Sequence, residues 1–360
     1  MDNTSSYHFS VEQLTYRSRE EINQEKWDKF IDLSPTGWLY HTYDMQDAIA
    51  TWPGKSDLSF ALVDENDSGE ILAIIPLHRI NRPFARILPN CSLESMGGIA
   101  FSSDLSKKQK ERVSQIALEK IRELAKEQNA EEIRFFLSPL TPFLRPGSQI
   151  HVNPLIEWGF ENTPSQTYII DLQKSKDEIW NNFEGYCRTH IRKAEKTGFT
   201  VRRAMGEEDL NIYYDLHCRT YTRTNVQPHP FAYFELIWKK FITTGRAVCF
   251  FAEKDDVVVA ADNEAVFKEA MSGWTAAGEG KSTSGVNNLL HWHAIQWALE
   301  NNLILYESGE GFPGETSGKR KGLTDFKKSF GGVLYPIYRG RILQKPFLYY
   351  LRKLGQSLRK

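Results

Sequence analysis

The chain has 360 residues, 41% hydrophobic and 25% charged, with 45 Lys/Arg against 46 Asp/Glu. That length exceeds one ordinary core, so two domains are expected, and the balance of apolar and charged residues excludes extended disorder. The net charge of −1 gives no global pull toward nucleic acid, but it averages two unequal parts. Residues 318–360 hold twelve Lys/Arg against one acid, Asp325, a charge of +11 that leaves −12 for residues 1–317. So basic a region is expected to meet an anion.

In chain order, Glu20 to Leu33 and Tyr43 to Thr51 read as helices. Leu58–Val63 and Ile71–Ile80 read as a hairpin across the Asp/Asn/Ser/Gly turn Asp64–Gly69. A long helix over Ser106–Asn129, with Val113, Ile116, Ala117, Ile121, Leu124 and Ala125 at helical spacing, leads to a strand at Ile133–Leu137. Ser138–Pro154, with four prolines, reads as a connection. The second half begins with a strand at Thr167–Leu172 and a helix over Lys176–Thr197 stopped by Gly198. Phe199–Arg203 follows as a strand, then helices over Glu207–Thr222 and Phe231–Thr243. Ala247–Glu253 and Val257–Phe267 form a second hairpin, continued by a strand at Ala270–Ala276. A loop then opens a helix over Val286–Asn301, and Leu303–Glu307 closes the series as a strand. The halves share a plan, so the chain reads as two related mixed α/β domains, residues 1–155 and 156–344, with a basic amphipathic tail at 345–360.

Other classes drop out. The longest apolar run, Ile71–Leu77, is far shorter than the roughly 20 residues that span a bilayer, and the polar start Met1–Ser10 lacks a secretory signal's apolar core. Cys91, Cys187, Cys218 and Cys249 stand far apart and read as reduced thiols, which suits a cytoplasmic location. His291 and His293, at i and i+2 of a helix, diverge, so no metal centre is expected. The loop Gly278–Gly285 suggests a nucleotide loop, but Thr275 stands where the G-x-x-x-x-G-K-[ST] pattern needs glycine. What survives is a Gly/Ser-rich turn whose free N–H groups at Gly285, Asn287 and Asn288 could meet an acyl donor or cap a helix in solvent.

Arg188, Arg192 and Lys196 recur at i, i+4 and i+8, a cationic stripe that suits a phosphate or a solvated face. Arg219 and Arg223 could clamp a second anion, although Asp215 also stands four residues before Arg219. The tail mixes leucines and aromatics with five cations, a pattern that rests on anionic membrane or packs on its own domain.

The run Arg188–Gly198, R-x-x-I-R-K-A-x-K-x-G, resembles the signature of FemAB-like (CelD-like) acyltransferases of the GNAT superfamily. Leu216–Arg223, Asn288–Ile295, the strand end Tyr306–Gly309 and Gly322–Gly332, similar to a closing G-x-x-x-F-K-x-x-F-G element, follow in the family's order. The resemblance covers about Thr167 to Arg341; before it only the turn Met96–Ile99 and the element order fit. It implies an α/β fold of tandem GNAT-like domains, each a mixed, mostly antiparallel sheet flanked by helices. It also implies acyl or aminoacyl transfer to an amine, from an acyl-CoA or other thioester or alternatively aminoacyl-tRNA, with no permanently bound cofactor. The implied acceptor is an amino group on a nucleotide- or lipid-linked sugar of the cell envelope or surface polysaccharide, which would place the protein at the inner face of the membrane. The long coiled-coil arm of some relatives and the R/Q-x-x-G-x-G/A turn of acetyl-CoA-binding members have no counterpart here.

Such chemistry needs a group to take the amine's proton and donors for a tetrahedral oxyanion. Glu307, where the family commonly has Asp, is the first candidate; Asp262 and Glu264 are alternatives. Arg192, Lys193 and Lys327 hold the motifs' basic positions and are expected at a diphosphate, with Arg188, Arg219 and Arg223 as further substrate contacts. Trp274 and Tyr306 are expected to line the cleft. A non-catalytic binding or scaffold protein on the same fold is the reading from another class.

Overall fold

The computed structural model describes residues 14–65, 69–84, 88–280 and 285–357. Contacts divide the chain into two units, Met1–Pro164 with Ile337–Lys360, and Ser165–Pro336. The expected boundary at 155/156 thus moves to 164/165, and residues 337–344 join the first unit. The cause is backbone pairing: Arg339–Leu343 runs antiparallel to Glu132–Phe136 on one side and Glu161–Asn162 on the other.

The first unit holds two sheets. Leu14–Ser18, Phe60–Asp64, Glu70–Ile75 and Ala100–Phe101 form an antiparallel four-stranded sheet that contains the first expected hairpin. Lys55–Asp57, His78–Phe84, Leu88–Met96, Glu132–Phe136, Arg339–Leu343 and Glu161–Asn162 form the second, with one parallel pair, Leu88–Met96 beside Glu132–Phe136. The strand expected over Ile71–Ile80 is therefore two strands in two sheets. Pro76 breaks it, because proline has no N–H for a ladder and fixes its own φ. Helix Lys107–Glu127 starts at a capping box, in which Gln109 N donates to Ser106 Oγ at 3.4 Å and Ser106 N to Gln109 Oε1 at 2.9 Å. Its apolar face, Val113, Ala117 and Ile121 among others, joins Leu62, Leu93 and Ile133 in the core.

The second unit is one seven-stranded sheet in the order Thr200–Ala204, Ala247–Lys254, Val257–Phe267, Ala270–Gly278, Leu305–Gly311, Ser165–Asp171, Val333–Ile337. Ala270–Gly278 and Leu305–Gly311 run parallel, joined through helix Val286–Glu300; the hairpin pairs before them and the pair Ser165–Asp171 with Leu305–Gly311 are antiparallel. The helix expected over Lys176–Thr197 is two helices, Lys176–Asn182 and Gly185–Lys196. Phe183, extended between them, buries its ring against Trp180, Trp292 and Phe330, which outweighs helix continuity. The last strand extends to Gly311 instead of ending at Glu307, since pairing with Ser165–Asp171 sustains it after the apolar run stops. Helix Gly318–Lys328, which follows, contains most of the closing motif.

Candidate active site

Strand Val257–Phe267 carries Asp262, Asn263 and Glu264 in an otherwise apolar stretch near the sheet centre, and all three are buried. Alternation along the strand sends Asn263 to one face and the two acids to the other. On the Asn263 face its Nδ2 reaches Thr275 Oγ1 at 3.4 Å, and Tyr213 of helix Glu207–Arg223 meets the same hydroxyl at 2.6 Å. On the acidic face, His291 of helix Val286–Glu300 places Nδ1 2.7 Å from Asp262 Oδ2, and Tyr306 donates its hydroxyl to Glu264 Oε1 at 2.9 Å. Phe326 and Phe330 enclose the imidazole, each ring centre 5.1 Å away. Burial, then the neighbouring Asp262 carboxylate, hold Glu264 well above the usual carboxylate range, while the Tyr306 hydrogen bond opposes them.

Glu307 lies one residue beyond Tyr306 and faces the other way. Its Oε1 accepts from Thr167 Oγ1 and its Oε2 from Ser272 Oγ, so two strands fix the carboxylate from either side. The position is a fork. The parallel strands pair only from Ala270 to Ser272 against Leu305 to Glu307. Past that point a bulge sets Glu264 opposite Gly273 and Asn263 opposite Thr275, leaving Trp274 extra, while the other strand follows Ser165–Asp171. Glu307 therefore stands where the two strands part.

Lys327 reaches the far flank of the fork, where Nζ donates to Glu310 O at 2.8 Å. Gly309 admits it: φ there is +95°, and a Cβ would sit 2.7 Å from Lys327 Nζ. Burial lowers the Lys327 pKa despite Glu307, Glu310 and Asp262 nearby.

The remaining candidates fall into two groups. Arg192 and Lys193 are exposed on helix Gly185–Lys196, with Arg192 5.4 Å from the Trp180 ring centre. Arg188 instead turns back to the preceding helix, donating to Asn181 O at 3.1 Å and to Phe183 O. Arg219 pairs with Asp215 at 3.0 Å and Glu279 at 2.7 Å, and Arg223 donates to Gly278 O at 2.7 Å, so both hold the strand end that leads into the glycine-rich loop. Residues 281–284 of that loop lie outside the described residues. Gly285 (φ +89°) begins the next helix against helix Gly185–Lys196, where a Cβ would meet His190 O at 2.4 Å; Asn288 is buried against Cys187 Sγ at 3.4 Å; Asn287 is exposed. Trp274 meets Tyr233 and Phe241 edge-on, and Tyr306 is fully buried beneath Glu264 rather than open to solvent.

Sequence reading missed His291 as the partner of Asp262, and Thr167 and Ser272 as the holders of Glu307. The first had a signal, an imidazole within the apolar run Leu289–Trp292 of a helix that follows a strand with acids at its centre. The two hydroxyls had none, because their role depends on sheet register.

Residues 181–328 match the family model of an acetyltransferase (GNAT) domain. The fold is similar to the crystal structure of FemX, with a TM-score of 0.69 and 17% identity over 94% of this chain and 99% of that one. It is also similar to the structure of L-PGS from Bacillus licheniformis (0.56, 14%, 93% and 96%) and to a tandem GNAT protein from the clavulanic acid biosynthesis pathway (0.55, 11%, 92% and 98%). No curated protein matches the chain in sequence. Residues 181–328 thus form a GNAT acetyltransferase domain, and the protein is an acyltransferase. The fold is the expected tandem GNAT arrangement, similar over nearly its whole length to FemX and to the tandem GNAT protein. The scaffold reading is set aside.

Proposed function

We propose that the protein is an N-acyltransferase that moves an acyl group onto the amine of a nucleotide- or lipid-linked sugar in cell-envelope or surface-polysaccharide synthesis, on the cytoplasmic side of the membrane. The fork carries this reading. A thin acyl donor, a thioester in this reading, fits between parting strands, whose unpaired edges offer backbone N–H groups to an oxyanion. Glu307 stands at the fork to take the proton of the attacking amine, held in orientation by Thr167 and Ser272. Asp262, already engaged by His291, is the lesser candidate for that role. Attack is direct, with no covalent enzyme intermediate. Arg192 and Lys193 are free to meet a diphosphate, with Lys327 at the fork, and Arg219, Arg223 and Asn287 border the donor side.

Among the described residues no helix is long and apolar enough to cross a membrane. A peripheral contact has support in the C-terminal helix Pro346–Ser357, which exposes Phe347 by 74%, Tyr350 by 52% and Leu351 by 48% at i, i+3 and i+4. The side chains of tail cations from Arg352 onward lie outside the described residues. A second reading, aminoacyl transfer from tRNA, draws support from the likeness to FemX.

The test is a thermal-shift screen of coenzyme A thioesters, aminoacyl-tRNA and nucleotide-diphospho-amino sugars, followed by turnover of the stabilising pair. Glu307→Gln is expected to lower kcat by about 100-fold. Unchanged turnover at every pH removes Glu307 from the mechanism; ribonuclease-sensitive turnover with steep salt dependence selects the tRNA reading.

A further inference from the structure

Asp262 and Glu264 occupy the same buried face two residues apart, 4% and 0% exposed. One oxygen of each and a ring nitrogen of His291 all lie within 4.8 Å of one another. Tyr306 supplies a hydrogen to Glu264 Oε1, no donor reaches Glu264 Oε2, and the Asp262 carboxyl lies within hydrogen-bonding reach of the Glu264 side chain. The other titratable groups around the pair are Glu307 on the strand of Tyr306, Lys327 on helix Gly318–Lys328, and Tyr213 and Cys249 on the opposite face. Lys327 gives its hydrogen bond to Glu310 O and to neither acid of the pair. Two close carboxylates cut off from water cannot both stay ionised unless a cation answers both, and His291, which meets Asp262 through Nδ1, has no acceptor for a second proton at its buried Nε2.

The free oxygen also lies next to the fork. The point where a side chain at Gly273 would begin is 3.8 Å from Glu264 Oε2 and 3.7 Å from the backbone carbonyl oxygen of Glu307, so the two carboxyl groups flank the gap between the parting strands from opposite faces. The site thus offers two carboxyl groups in contrasting settings: Glu307, whose oxygens both accept hydroxyl hydrogens, and Glu264, fully buried with one oxygen lacking a donor. That contrast is how one site separates a base from an acid.

We propose that Asp262 and Glu264 share one proton, carried on Glu264, and that Glu264 is the acid of the acyl transfer. The second half rests on the acyl-transfer reading above; the first rests on the geometry of the pair. In the step, the amine nitrogen bonds to the acyl carbon and its proton passes to Glu307. The bond from that carbon to the leaving oxygen or sulphur breaks with its electron pair, and the Glu264 O–H breaks to protonate that atom. Glu307 ends with the proton that Glu264 has lost, and its return to Glu264 after product release restores both. Nothing is oxidised or reduced.

Infrared spectroscopy of the full chain at pH 7 tests the shared proton. The carbonyl stretch of a protonated carboxyl group is expected in the wild type, moved by carbon-13 glutamate labelling and lost in Glu264→Gln. Its absence from the wild type overturns the proposal. So does a stoichiometric divalent cation in the purified protein whose removal by chelator lowers the Tm, since a cation would then replace the proton. If Glu264→Gln fails to fold, Asp262→Asn is expected to shift the band by exchanging its carboxylate acceptor for an amide, and an unmoved band overturns the sharing.

The acid role is read from kcat with an acyl ester and an acyl thioester, using a nucleotide-diphospho-amino sugar as acceptor. An alkoxide needs a proton to leave more than a thiolate does. Glu264→Gln is therefore expected to lose about 100-fold with the ester and roughly tenfold less with the thioester. Equal losses, or none, overturn the acid role. A wild type that turns over neither donor overturns the acyl-transfer reading and the acid role with it, while the infrared band stands independently.

Discussion

In the first unit the buried cation Arg19 is answered on every side. Asp57 Oδ2 and Asp47 Oδ1 each lie 2.6 Å away, Tyr43 O is at 3.3 Å, and the Tyr43 ring centre lies 4.2 Å from the guanidinium. In the second unit the buried acid Glu264 has one hydroxyl donor and a second acid, Asp262, beside it. Both are charged residue types held away from water. One is a closed account of hydrogen bonds and reads as structure; the other is left open, and open buried polar groups mark chemistry. What separates Glu264 from Arg19 is therefore a missing hydrogen-bond partner and not burial, which the two share.

The strongest way to break the comparison is to open the closed cluster. Arg19→Ala leaves Asp57 and Asp47 facing each other without their cation, and is expected to destabilise the first unit by about 3 kcal/mol, the lower end for a broken buried pair because Asp47 is half exposed. Chemical denaturation monitored by fluorescence would read it. A loss below about 1 kcal/mol would class the Arg19 cluster with ordinary surface pairs.

Acid comes next in size, and here the units agree. Burial pushes His78 in the first unit and His217 in the second each down to about 4. A histidine whose folded pKa lies below its unfolded value of 6.5 is kept neutral by the fold, while the unfolded chain takes up the proton. Its contribution is present above pH 6.5 and is lost as pH falls toward 4, by at most about 3 kcal/mol for each residue. His217 Nε2 accepts the His229 N–H at 3.2 Å, which fixes that nitrogen as unprotonated. Melting temperature from pH 8 to 4 should fall across this window, and His217→Gln should flatten the slope. An unchanged slope in both His217→Gln and His78→Gln would mean that neither imidazole stays neutral.

How far the sequence reaches can be judged at these same sites. The hairpins, the long helix Lys107–Glu127, the second-unit strands other than the edge strand Val333–Ile337, and the placing of Glu307 on a strand beside the family's closing motif were legible, because each rests on local periodicity or a contiguous motif. The break at Phe183, the split at Pro76 and the return of Arg339–Leu343 to the first unit were read wrongly or missed, since each is decided by packing or pairing between distant segments. At the site, the acids at the centre of strand Val257–Phe267 were visible as polar residues in an apolar run. That His291 would answer one and Tyr306 the other depends on how helix Val286–Glu300 crosses the sheet. The substrate contact expected at Arg188 came from a cationic stripe, but the broken helix behind it supplies carbonyls that no spacing rule anticipates.

Glu264→Gln sharpens the comparison from the other side. An acid whose folded pKa is raised stabilises the fold only where the unfolded carboxyl is also protonated; as pH rises above about 4.5 the unfolded chain ionises and that contribution is lost. Glutamine keeps the shape without ionising in either state. The variant is therefore expected to match the wild type near pH 4 and to be the more stable at pH 8, while losing activity. Equal stability at both ends would show Glu264 to be ionised in the fold, and the contrast with Arg19 would disappear.

The smallest effect belongs to Arg219, an exposed cation with two good partners, Asp215 at 3.0 Å and Glu279 at 2.7 Å. Its side chain is 55% exposed and that of Asp215 69%, so solvent screens both contacts. Arg219→Ala is expected to cost about 0.5 kcal/mol or less. The value of the variant lies in separating two uses of a well-paired residue. If Arg219 only tethers Glu279 at the strand end beyond Gly278, its loss leaves ligand stabilisation in the thermal-shift screen unchanged. If it holds an anion of the substrate, the same variant keeps its Tm without ligand but loses part of the ligand-induced shift, and Arg219→Lys restores less than half of it, because an ammonium cannot reproduce the guanidinium's paired donors. The second outcome would show that satisfied hydrogen bonds mark a structural role only where water is excluded; at the surface, a paired cation stays available for function.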